Sequence, residues 1–526
     1  MIHTLQLRLA PEEAYNSDIF EELVAKKLAV HVSDISGIRR LKESVDARSS
    51  RQIVVNCLIE VSIHESLPPQ YIPIRWKDVS KANRRVIIIG GGPAGLFAAL
   101  HLIEQGIQPI IIERGKEVRA RRRDLAIMNK TGVVNSESNY CFGEGGAGTY
   151  SDGKLYTRSS KRGNILRILQ LFHQFGAPDA ILYQSHPHIG TNKLPNIITA
   201  MRETILEYGG IYLLDQKVID IQIRDGLCTH VITHTGNHVT GDAVIVATGH
   251  SARDIYSLFH TKKWHLEAKP FALGVRIEHP QSLIDSIQYH TSQRDSLLPP
   301  AAYSLVEQIN NRGVFSFCMC PGGIIAPAAT GPGELVVNGW SPSKRNNPFS
   351  NSGLVVQIEM KDAIKYLAPK NKEAVSPLLL LQFQQAVEQK AFQYGGGNLV
   401  APAQRMTDFV NKKVSSSLPH CSYIPGIQSV DLDQVLPDFV SNTLREGCKA
   451  FGKKMKGYLT REAVLVATES RTSAPVRIPR DAENLCHPQI RNLFPCGEGA
   501  GYAGGIVSAA MDGEKVAARI ATLWNT

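Results

Sequence analysis

The sequence lacks any Cys-x-x-Cys pair, and its nine cysteines are scattered along 526 residues. An odd and scattered set of thiols argues against a disulfide framework. Four suitably spaced thiolates for zinc or an iron–sulfur cluster are also missing. We therefore expect free cysteines in a reducing compartment and no metal site.

Long apolar runs are missing as well. No segment approaches the ~18 consecutive apolar residues that a membrane span requires. The first residues carry Glu12 and Glu13 where a signal peptide would have its apolar core. These features predict a soluble, cytoplasmic protein with no membrane partner.

Strong charge bias is absent too. Lys and Arg exceed Asp and Glu by only 58 to 48, a formal charge of +10 over the whole chain, which is a thin attraction for nucleic acid or lipid. Hydrophobic residues make up 43%, which excludes a disordered chain. At roughly 150 residues per domain, the length favours two to four globular domains.

The first 80 residues predict a small α+β module. Residues 2–9 alternate as a strand, 11–28 place apolar side chains on one helical face, and 36–64 contain two further strands. A Pro-containing stretch then leads to an abrupt change of composition. We place a domain boundary near residue 80, at a linker.

The segment 84–113 predicts a dinucleotide site. An apolar strand is followed by Gly90, Gly92 and Gly95, then by a helix, a second strand and Glu113. In such a unit the first glycine allows a tight turn, the second lets the backbone approach a pyrophosphate, and the third lets helix and strand pack closely. An acid about 20 residues further on binds the ribose, a role that falls to Glu113.

Two other stretches share the glycine spacing. Gly143, Gly145 and Gly148 follow polar residues and precede no helical pattern, so they do not predict a second nucleotide fold. Gly499, Gly501 and Gly504 lie between a strand and a helix, but no further strand follows in the sequence to carry the ribose acid. We expect one complete dinucleotide fold.

Several motifs together carry a resemblance to a known family. They are GGGPAG, IIIERG, DAVIVATGH, FGEGGAGTYSDGKL, KPFALGVRIEHPQ, FSFCMCPGG, ESRTSAPVRIPRD and CGEGAGYAGGI. The chain from about residue 80 onward resembles glutathione-reductase-like FAD proteins, and most closely the uncharacterised FAD-dependent dehydrogenases. The resemblance implies FAD as cofactor and flavin redox chemistry on an unidentified small molecule.

The resemblance also implies which residues bind FAD. It places the pyrophosphate at Gly90, Gly92, Pro93, Ala94 and Gly95, the adenosine ribose at Glu113 and Arg114, and the adenine at the backbone of Val218. Glu498 after Gly497 stands where the superfamily usually has an Asp that binds the ribityl chain. The remaining expected cofactor residues are Gly145, Gly146, Ala247, Thr248, Gly249, Gly504, Gly505 and Ile506.

The last helix supports this reading on physical grounds. Ile506, Ala510, Ala517 and Ile520 share one face, so the helix packs on the sheet and its amino terminus points outward at the strand ends. Partial positive charge there would stabilise the N1/C2=O edge of a reduced flavin.

Together these observations predict an α/β fold. We expect a Rossmann-type FAD-binding domain formed by residues 84–254 and 460–526, a parallel sheet with helices, interrupted by an inserted α+β substrate domain at 255–459. The expected function is an FAD-dependent oxidoreductase that moves hydride between flavin and a small molecule or NAD(P)H. With one dinucleotide fold, NAD(P)H would bind transiently in the insertion.

The catalytic residues are not identified by the pattern. Asp152 and Lys154 rank above His250 as proton-transfer candidates. Cys318 and Cys320 are either redox thiols near flavin or buried strand cysteines. One group of arginines is expected either to bind a phosphate or to form a solvated helix face: Arg119, Arg121, Arg122 and Arg123. A second group is expected either to clamp a substrate carboxylate or to form structural ion pairs: Arg276, Arg471 and Arg477.

The sequence leaves two rival functions open. One is a nucleic-acid-modifying flavoprotein resembling the bacterial tRNA wobble-uridine enzyme, favoured by basic Arg39, Arg40, Lys42, Arg48 and Arg51 but lacking interleaved aromatic residues. The other is an FAD-binding scaffold or sensor without turnover.

Overall fold

The computed structural model describes residues 1–49, 51–157, 163–368 and 376–525. The amino-terminal module consists of β1 (Ile2–Leu9), α1 (Pro11–Tyr15), α2 (Ser17–Leu28), β2 (Ile35–Asp46) and β3 (Val54–Ile63). Its strands form an antiparallel sheet in the order β1–β3–β2. The helix splits at Asn16, whose side chain accepts the backbone N–H groups of Asp18 and Ile19.

The segment between β3 and the next strand is anchored to the rest of the protein. The ring of Trp76 stacks on Phe175 with centroids 6.1 Å apart. The backbone of Ile74 exchanges two hydrogen bonds with the Gln174 amide, of 3.0 and 2.9 Å. The stretch 64–70 before it is largely exposed. The segment predicted as a linker is therefore held against the cofactor domain from about residue 71.

The second part of the chain runs from residue 85 to 261. Its elements are β4 (Arg85–Ile89), α3 (Pro93–Glu104), β5 (Gln108–Ile112), α4 (Val118–Thr131), α5 (Ile165–Gln174), α6 (Ala180–Tyr183), α7 (Leu194–Glu207), β6 (Ile211–Leu213), β7 (Val218–Arg224), β8 (Leu227–Thr233), β9 (His238–Thr240), β10 (Ala243–Val246) and α8 (Arg253–Thr261).

The third part completes the chain. Its elements are β11 (Glu267–Ala268), β12 (Phe271–Pro280), α9 (Gln281–Tyr289), β13 (Val306–Ile309), β14 (Arg312–Cys320), β15 (Ile324–Pro327), β16 (Val337–Trp340), β17 (Phe349–Ile358), α10 (Met360–Leu367), α11 (Leu379–Tyr394), β18 (Ala401–Arg405), α12 (Met406–Val410), β19 (Ile427–Ser429), α13 (Asp438–Lys454), β20 (Val464–Glu469), β21 (Val476–Arg477), β22 (Leu493–Pro495) and α14 (Ile506–Asn525).

A five-stranded parallel sheet in the order β22–β10–β4–β5–β6 forms the centre of the protein. Its strands are apolar because both faces are covered, one by α3, α7 and α14 and the other by β7, β8 and α8. When the five strands are numbered 1 to 5 in chain order from β4, the sheet read from β6 to β22 has the order 3-2-1-4-5. This is the arrangement of a Rossmann fold. The predicted α/β, Rossmann-type fold is confirmed.

The insertion forms a seven-stranded mixed sheet in the order β13–β14–β17–β12–β20–β18–β19, with α9 to α13 packed around it. The expected α+β character is confirmed. Strand β20 lies beyond the predicted boundary at residue 459 and pairs with β12 and β18. The sheet of the insertion thus extends to Glu469, while the domain limits themselves stay predictions.

Helix α14 returns from the end of the chain to pack against α3. A Cβ added at Gly513 would lie 2.1 Å from the carbonyl oxygen of Ala94, so the two helix backbones are in close contact. Ala510, Ala517 and Ile520 are buried on this face, as their spacing predicts. The packing brings the amino ends of α3 and α14 to the same edge of the sheet.

Candidate functional site

A cleft of about 380 Å³ opens at the carboxyl ends of β4 and β10. The strand order reverses between these two strands, and ligands of α/β proteins bind at this switch point. The predicted cofactor residues lining it are Gly90, Gly92, Pro93, Ala94, Glu113, Arg114, Gly146, Val218, Ala247, Thr248, Gly249, Glu498, Gly504, Gly505 and Ile506. Asp152, Lys154 and His250 line it too.

Three predicted cofactor residues shape the cleft from behind. A Cβ at Gly95 would lie 2.0 Å from the Gly90 carbonyl oxygen, so Gly95 allows α3 to pack on the turn. The Gly145 N–H donates to the Gly91 carbonyl oxygen at 2.9 Å. The Gly497 N–H donates to the Asp512 carboxylate at 2.8 Å. These glycines act through backbone geometry, and we do not expect them to touch the ligand.

The turn after β4 leaves space for a ligand. Gly90 has φ +109°, and a Cβ there would lie 2.4 Å from the Ala247 carbonyl oxygen, so only glycine fits. Gly92 has φ −82°, and an added Cβ would meet only Gly146 Cα, at 3.7 Å. The open side of Gly92 lies at the amino end of α3, where the helix dipole favours an anion.

Glu113 is buried and its carboxylate connects three loops. One oxygen accepts the Gly91 N–H at 2.8 Å, and the other accepts the N–H groups of Gly115 and Gly143 at 3.0 Å each. A carboxylate offers about four acceptor positions, so it can still receive a ribose hydroxyl. Its first role in this structure is to organise the cleft wall.

Arg121, predicted to bind a phosphate or to lie on a solvated helix face, instead holds the second glycine loop. Its guanidinium is fully buried and donates to the carbonyl oxygens of Asn139, Tyr140, Gly143 and Glu144 at 2.8–3.2 Å. It therefore fits neither reading of the arginine run, a phosphate site or a solvated face, whereas Arg119, Arg122 and Arg123 are exposed.

Arg114 is already paired within the protein. Its guanidinium donates to Glu137 at 2.7 Å and to Asp254 at 3.0 Å, and it stacks on the Phe142 ring at 4.1 Å. These contacts fix Arg114 at the cleft beside Glu113, where the adenosine ribose is predicted to bind.

The end of β10 carries an unsatisfied polar group. Among the described residues no hydrogen-bond partner reaches the buried Thr248 hydroxyl. The next residue, Gly249, has φ +73° and open space where a Cβ would be. A buried hydroxyl without a partner beside open space is suited to a bound ligand.

The amino end of α14 borders the cleft opposite β4. Cβ atoms added at Gly504 and Gly505 would meet nothing within 4 Å, so a ligand has access to the backbone there. Burial raises the pKa of Glu498 to about 7, against the opposing effect of the Lys269 charge. Near neutral pH this side chain is partly protonated, so it can donate or accept a hydrogen bond.

Asp152 is buried in an ion-pair cluster. It accepts hydrogen bonds from the Ser341 hydroxyl and from Arg345 at 2.7 Å. Although burial opposes ionisation, the charges of Lys154 and Arg345 outweigh it and lower its pKa to about 2. A carboxylate that stays ionised at neutral pH suits charge compensation better than the proton transfer predicted for it.

His250 and Lys154 also lie in the cleft. Burial lowers the pKa of His250 to about 4, so the imidazole is neutral at pH 7 and shares a hydrogen bond with Ser251 Oγ at 2.8 Å. The Lys154 ammonium lies 3.6 Å from the sulfur atoms of both Cys318 and Cys320. Cys318 lines the cleft, whereas Cys320 is buried.

The predicted carboxylate clamp is occupied by protein groups. Buried Arg276 donates to Asn351 and Glu469, and buried Arg471 donates to Glu388 and Glu334. Arg477 lies over the Tyr502 ring at 5.6 Å. Arg276 and Arg471 therefore form structural ion pairs within the protein, which is the second of the two predicted alternatives.

Two kinds of feature are absent from the described ranges. No helix there is both long and apolar enough to cross a membrane. No group of three or more His, Cys, Asp or Glu side chains that could hold a metal ion was found in the same residues.

Four sequence families match parts of the chain. Residues 270–472 match "FAD-dependent protein, C-terminal domain-like", 83–131 match "FAD binding domain", 195–294 match "Glucose inhibited division protein A", and 1–62 match a domain of unknown function. The protein is thus of the FAD-binding class.

A full-length relative defines the family. An uncharacterised protein of Clostridium beijerinckii is 40% identical over 522 residues, which cover 96% of each chain. The chain belongs to the same family, which is FAD-dependent. The tRNA uridine 5-carboxymethylaminomethyl modification enzyme MnmG of Geobacillus kaustophilus is 27% identical over 169 residues, 31% of this chain and 24% of that protein.

Solved structures show a more distant likeness. Glycine oxidase from Bacillus cereus matches 84% of this chain and 96% of its own, at 15% identity and a TM-score of 0.30. L-proline dehydrogenase from P. horikoshii matches 84% and 93%, at 12% identity and a TM-score of 0.34.

FAD is the cofactor of this protein, and the cleft fits it. The open side of Gly92 at the α3 amino terminus can receive a pyrophosphate, and the open backbone at Gly249 and Gly504–Gly505 can receive a flat ring. The Thr248 hydroxyl, which has no partner in the part of the chain that the structure describes, adds a hydrogen-bonding group.

Proposed function

We propose that this protein is an FAD-dependent oxidoreductase that moves hydride between flavin and a small-molecule substrate. One observation carries the proposal. The dinucleotide turn, the amino end of α14 and side chains of the insertion all line one cleft. A cofactor bound along the parallel sheet would therefore have its far end beside Lys154, Cys318 and Asn338, where a substrate can reach it.

Residues of the chain have separate tasks in this proposal. Gly92 and the α3 amino end bind the pyrophosphate, Glu113 and Arg114 contact the adenosine ribose, and the α14 amino end faces the electronegative edge of the flavin. Bound FAD supplies a two-electron acceptor and donor. Residues 255–469 form the substrate-binding domain and exclude water from that end of the cleft.

NAD(P)H is a transient electron donor in this proposal. Among the described residues only the sheet β22–β10–β4–β5–β6 is an all-parallel sheet of more than two strands. A dedicated second Rossmann domain is thus not part of the described chain. We expect weak pyridine-nucleotide affinity and binding on the insertion side of the cleft.

Anaerobic reduction of the FAD-loaded protein tests the function. NADH, NADPH and a fractionated metabolite extract are each mixed with it in a stopped-flow instrument while flavin absorbance is recorded. We expect at least one to bleach the flavin in a single exponential phase whose rate saturates with concentration. If dithionite reduces the flavin but none of these donors does, the protein is an FAD-binding scaffold or sensor.

A second candidate is a nucleic-acid-modifying flavoprotein, favoured by the partial match to MnmG. The module gives it little support, because Arg39 pairs with Glu60, Arg40 with Glu43 and Arg48 with Asp46. Each pairing reduces the positive charge offered to phosphates. Salt-dependent tRNA binding that disappears with residues 1–68 would favour this candidate.

A further inference from the structure

Strand β14 carries an irregularity at the cleft. Phe317 pairs with Gly353 and Cys320 with Asn351, so two residues of β14 stand opposite the single residue Ser352. Cys318, the first of the two, has φ +47°, which is uncommon for a residue other than glycine. Bulges of this kind redirect a side chain, often beside an active site, and here the bulged cysteine lines the cleft.

The charges around Cys318 come from several elements. The cations are Lys154, whose Nζ lies 3.6 Å from the Cys318 sulfur, and Arg276, which donates to the Cys318 carbonyl oxygen at 2.8 Å. The acids that influence this site are Asp152, Glu469 and Glu498.

Two of these acids are compensated by arginines. Asp152 pairs with Arg345 at 2.7 Å, and Glu469 with Arg276 at 3.1 Å. The ammonium of Lys154 is 3.7 Å from Asp152 and lies equally close to the sulfur atoms of Cys318 and Cys320. Lys154 is thus a cation in direct contact with the sulfur that lines the cleft.

We propose that Cys318 is a nucleophilic thiolate that undergoes exchange with small disulfides entering the cleft, and that Lys154 is its positioning residue. This reaction is separate from hydride transfer and does not depend on it.

The exchange step is balanced within its two reactants. The Cys318 thiolate attacks one sulfur of R–S–S–R, a Cys318–S–S–R bond forms, and the R–S–S–R bond breaks. The electron pair leaves on R–S⁻, which takes a proton from solvent. The disulfide is the oxidant, because its leaving sulfur is reduced while the Cys318 sulfur is oxidised.

Disulfides suit the site because their leaving group departs as a stable anion. A thiolate can leave without a proton from the protein, and neither Asp152, ionised at pH 7, nor His250, neutral at pH 7, has an acidic proton to give it. Lys154 is near enough to stabilise negative charge on the attacking sulfur.

The protonation states agree with this geometry. A hydrogen bond from Cys320 and the charges of Lys154 and Arg276 hold the pKa of Cys318 well below its ordinary value, although burial opposes them. The Cys320 thiol has a raised pKa because it is that hydrogen-bond donor and is buried. Burial opposes ionisation of Lys154, but the neighbouring groups Cys318, Cys320 and Asp152 outweigh it and raise the pKa of Lys154, which keeps the lysine charged.

Alkylation of the purified FAD-loaded protein tests the thiolate. The rate of iodoacetamide addition at each cysteine is followed by peptide mass spectrometry across a pH series. Cys141 lines the same cleft and provides the matched comparison. We expect Cys318 to react first, with a midpoint below the ~8.5 of a free cysteine. Cys318→Ser removes the fast reaction and Cys141→Ser leaves it unchanged.

Variants of Lys154 distinguish the effect of its positive charge on Cys318 from simple access of the reagent to the Cys318 sulfur. Lys154→Met should slow alkylation of Cys318 at about pH 6 by roughly tenfold or more, since an adjacent opposite charge lowers a pKa by about 1–3 units. Lys154→Arg should restore most of the rate. Flavin absorbance of each variant verifies that the cleft is intact.

The disulfide itself is tested with 2-hydroxyethyl disulfide. We expect a mixed disulfide at Cys318 in the wild type that forms more slowly in Lys154→Met and is absent in Cys318→Ser. Two results would overturn the proposal: Cys318 alkylates no faster than Cys141, or its alkylation midpoint stays the same in Lys154→Met. Because no step requires flavin reduction, failure here leaves the proposed oxidoreductase function standing.

Discussion

One carboxylate oxygen of Glu113 accepts the backbone N–H of Gly143 at 3.0 Å. The two residues belong to motifs thirty positions apart, the end of the dinucleotide unit and the start of the second glycine loop. The same side chain holds Gly91 through its other oxygen. Glu113, whose spacing from the Gly90 motif predicts a contact with the ribose, thus also holds the loops of the cleft together.

Glu113→Gln should weaken both the fold and the cofactor site. The carboxamide nitrogen cannot accept an amide hydrogen bond, so at least one buried N–H loses its partner, at a cost of about 1–3 kcal/mol. We expect a lower thermal midpoint and loss of FAD on gel filtration. The exposed Glu207→Gln, on α7, is the control and should change neither property. Normal FAD retention in Glu113→Gln would show that the three loops hold together without this carboxylate.

Gly92→Ala should bind FAD weakly while folding normally. The φ of −82° suits alanine, and the added methyl meets only Gly146 Cα at 3.7 Å, but it fills the space expected for the pyrophosphate. We expect the FAD dissociation constant to rise on the order of tenfold, a loss of about 1.4 kcal/mol. Fluorescence titration of the stripped protein measures it. Gly331→Ala, at another open glycine outside the cleft lining, should bind FAD as the wild type does.

Local patterns explain why much of the fold could be predicted. The run from β4 to Glu113 encodes a strand, a turn, a helix and a second strand in adjacent residues. The arginine run resembles a phosphate site or a solvated face, but both predictions are wrong for the buried Arg121. A signal was nevertheless present: Val118, Arg121, Leu125 and Met128 follow helical spacing, and all four are buried.

Long-range features were beyond sequence reasoning. The bulge at Cys318 depends on how β14 pairs with β17, and the position of Lys154 beside it depends on a loop 164 residues earlier. Likewise, the packing of Trp76 on Phe175 is a tertiary contact with no local pattern. Such contacts arise from the assembled domains rather than from any single segment.

Ile506→Pro should lower the reduction potential of the bound flavin. Ile506 is the first residue of α14, a position where proline is tolerated and removes one backbone N–H. Gly505 is unsuitable for this test because its φ of +133° is closed to proline. Ile506→Ala removes the side chain but keeps the amide, and should leave the potential unchanged.

The decrease in reduction potential caused by Ile506→Pro should be modest. Charge at a helix terminus is stabilised by about 0.3–1 kcal/mol. Sulfite affinity should weaken in parallel, because the adduct also places negative charge on the flavin. Equal potentials and sulfite affinities in both variants would show that α14 does not face the flavin.

Glu278 in β12 should make stability depend on pH. Burial raises its pKa from 4.5 to about 7, although hydrogen bonds from Ser422 oppose the shift. Between these values the folded protein holds a proton that the unfolded chain has released. Stability therefore falls as pH rises through this window, by about 1.4 kcal/mol per unit of pKa shift at most.

Glu278→Gln should flatten this dependence. Its amide can accept the Ser422 N–H and donate to the Ser422 hydroxyl, so the site stays paired. Thermal midpoints at about pH 5 and pH 8 should lie closer together in this variant than in the wild type. Glu462→Gln, at an exposed glutamate of the same part of the chain, should keep the wild-type difference. An unaltered difference in Glu278→Gln would assign the dependence to other buried acids.

Limited proteolysis should cut the protein before residue 71 rather than near residue 80. Glu65 lies in the exposed stretch 64–70, whereas Arg75 and Lys77 flank Trp76, whose ring is stacked on Phe175. A protease must draw a segment of backbone into its own active site, so anchored segments are cut slowly. We expect a glutamate-specific protease to cleave after Glu65 faster than trypsin cleaves after Arg75 or Lys77.

The large fragment should keep FAD, because every predicted cofactor residue lies beyond the cleavage site and therefore within that fragment. Trp76→Ala should release the segment and make both tryptic sites accessible, while leaving cleavage at Glu65 unchanged. Fast tryptic cleavage at Arg75 in the wild type would mean that this segment is a free linker after all.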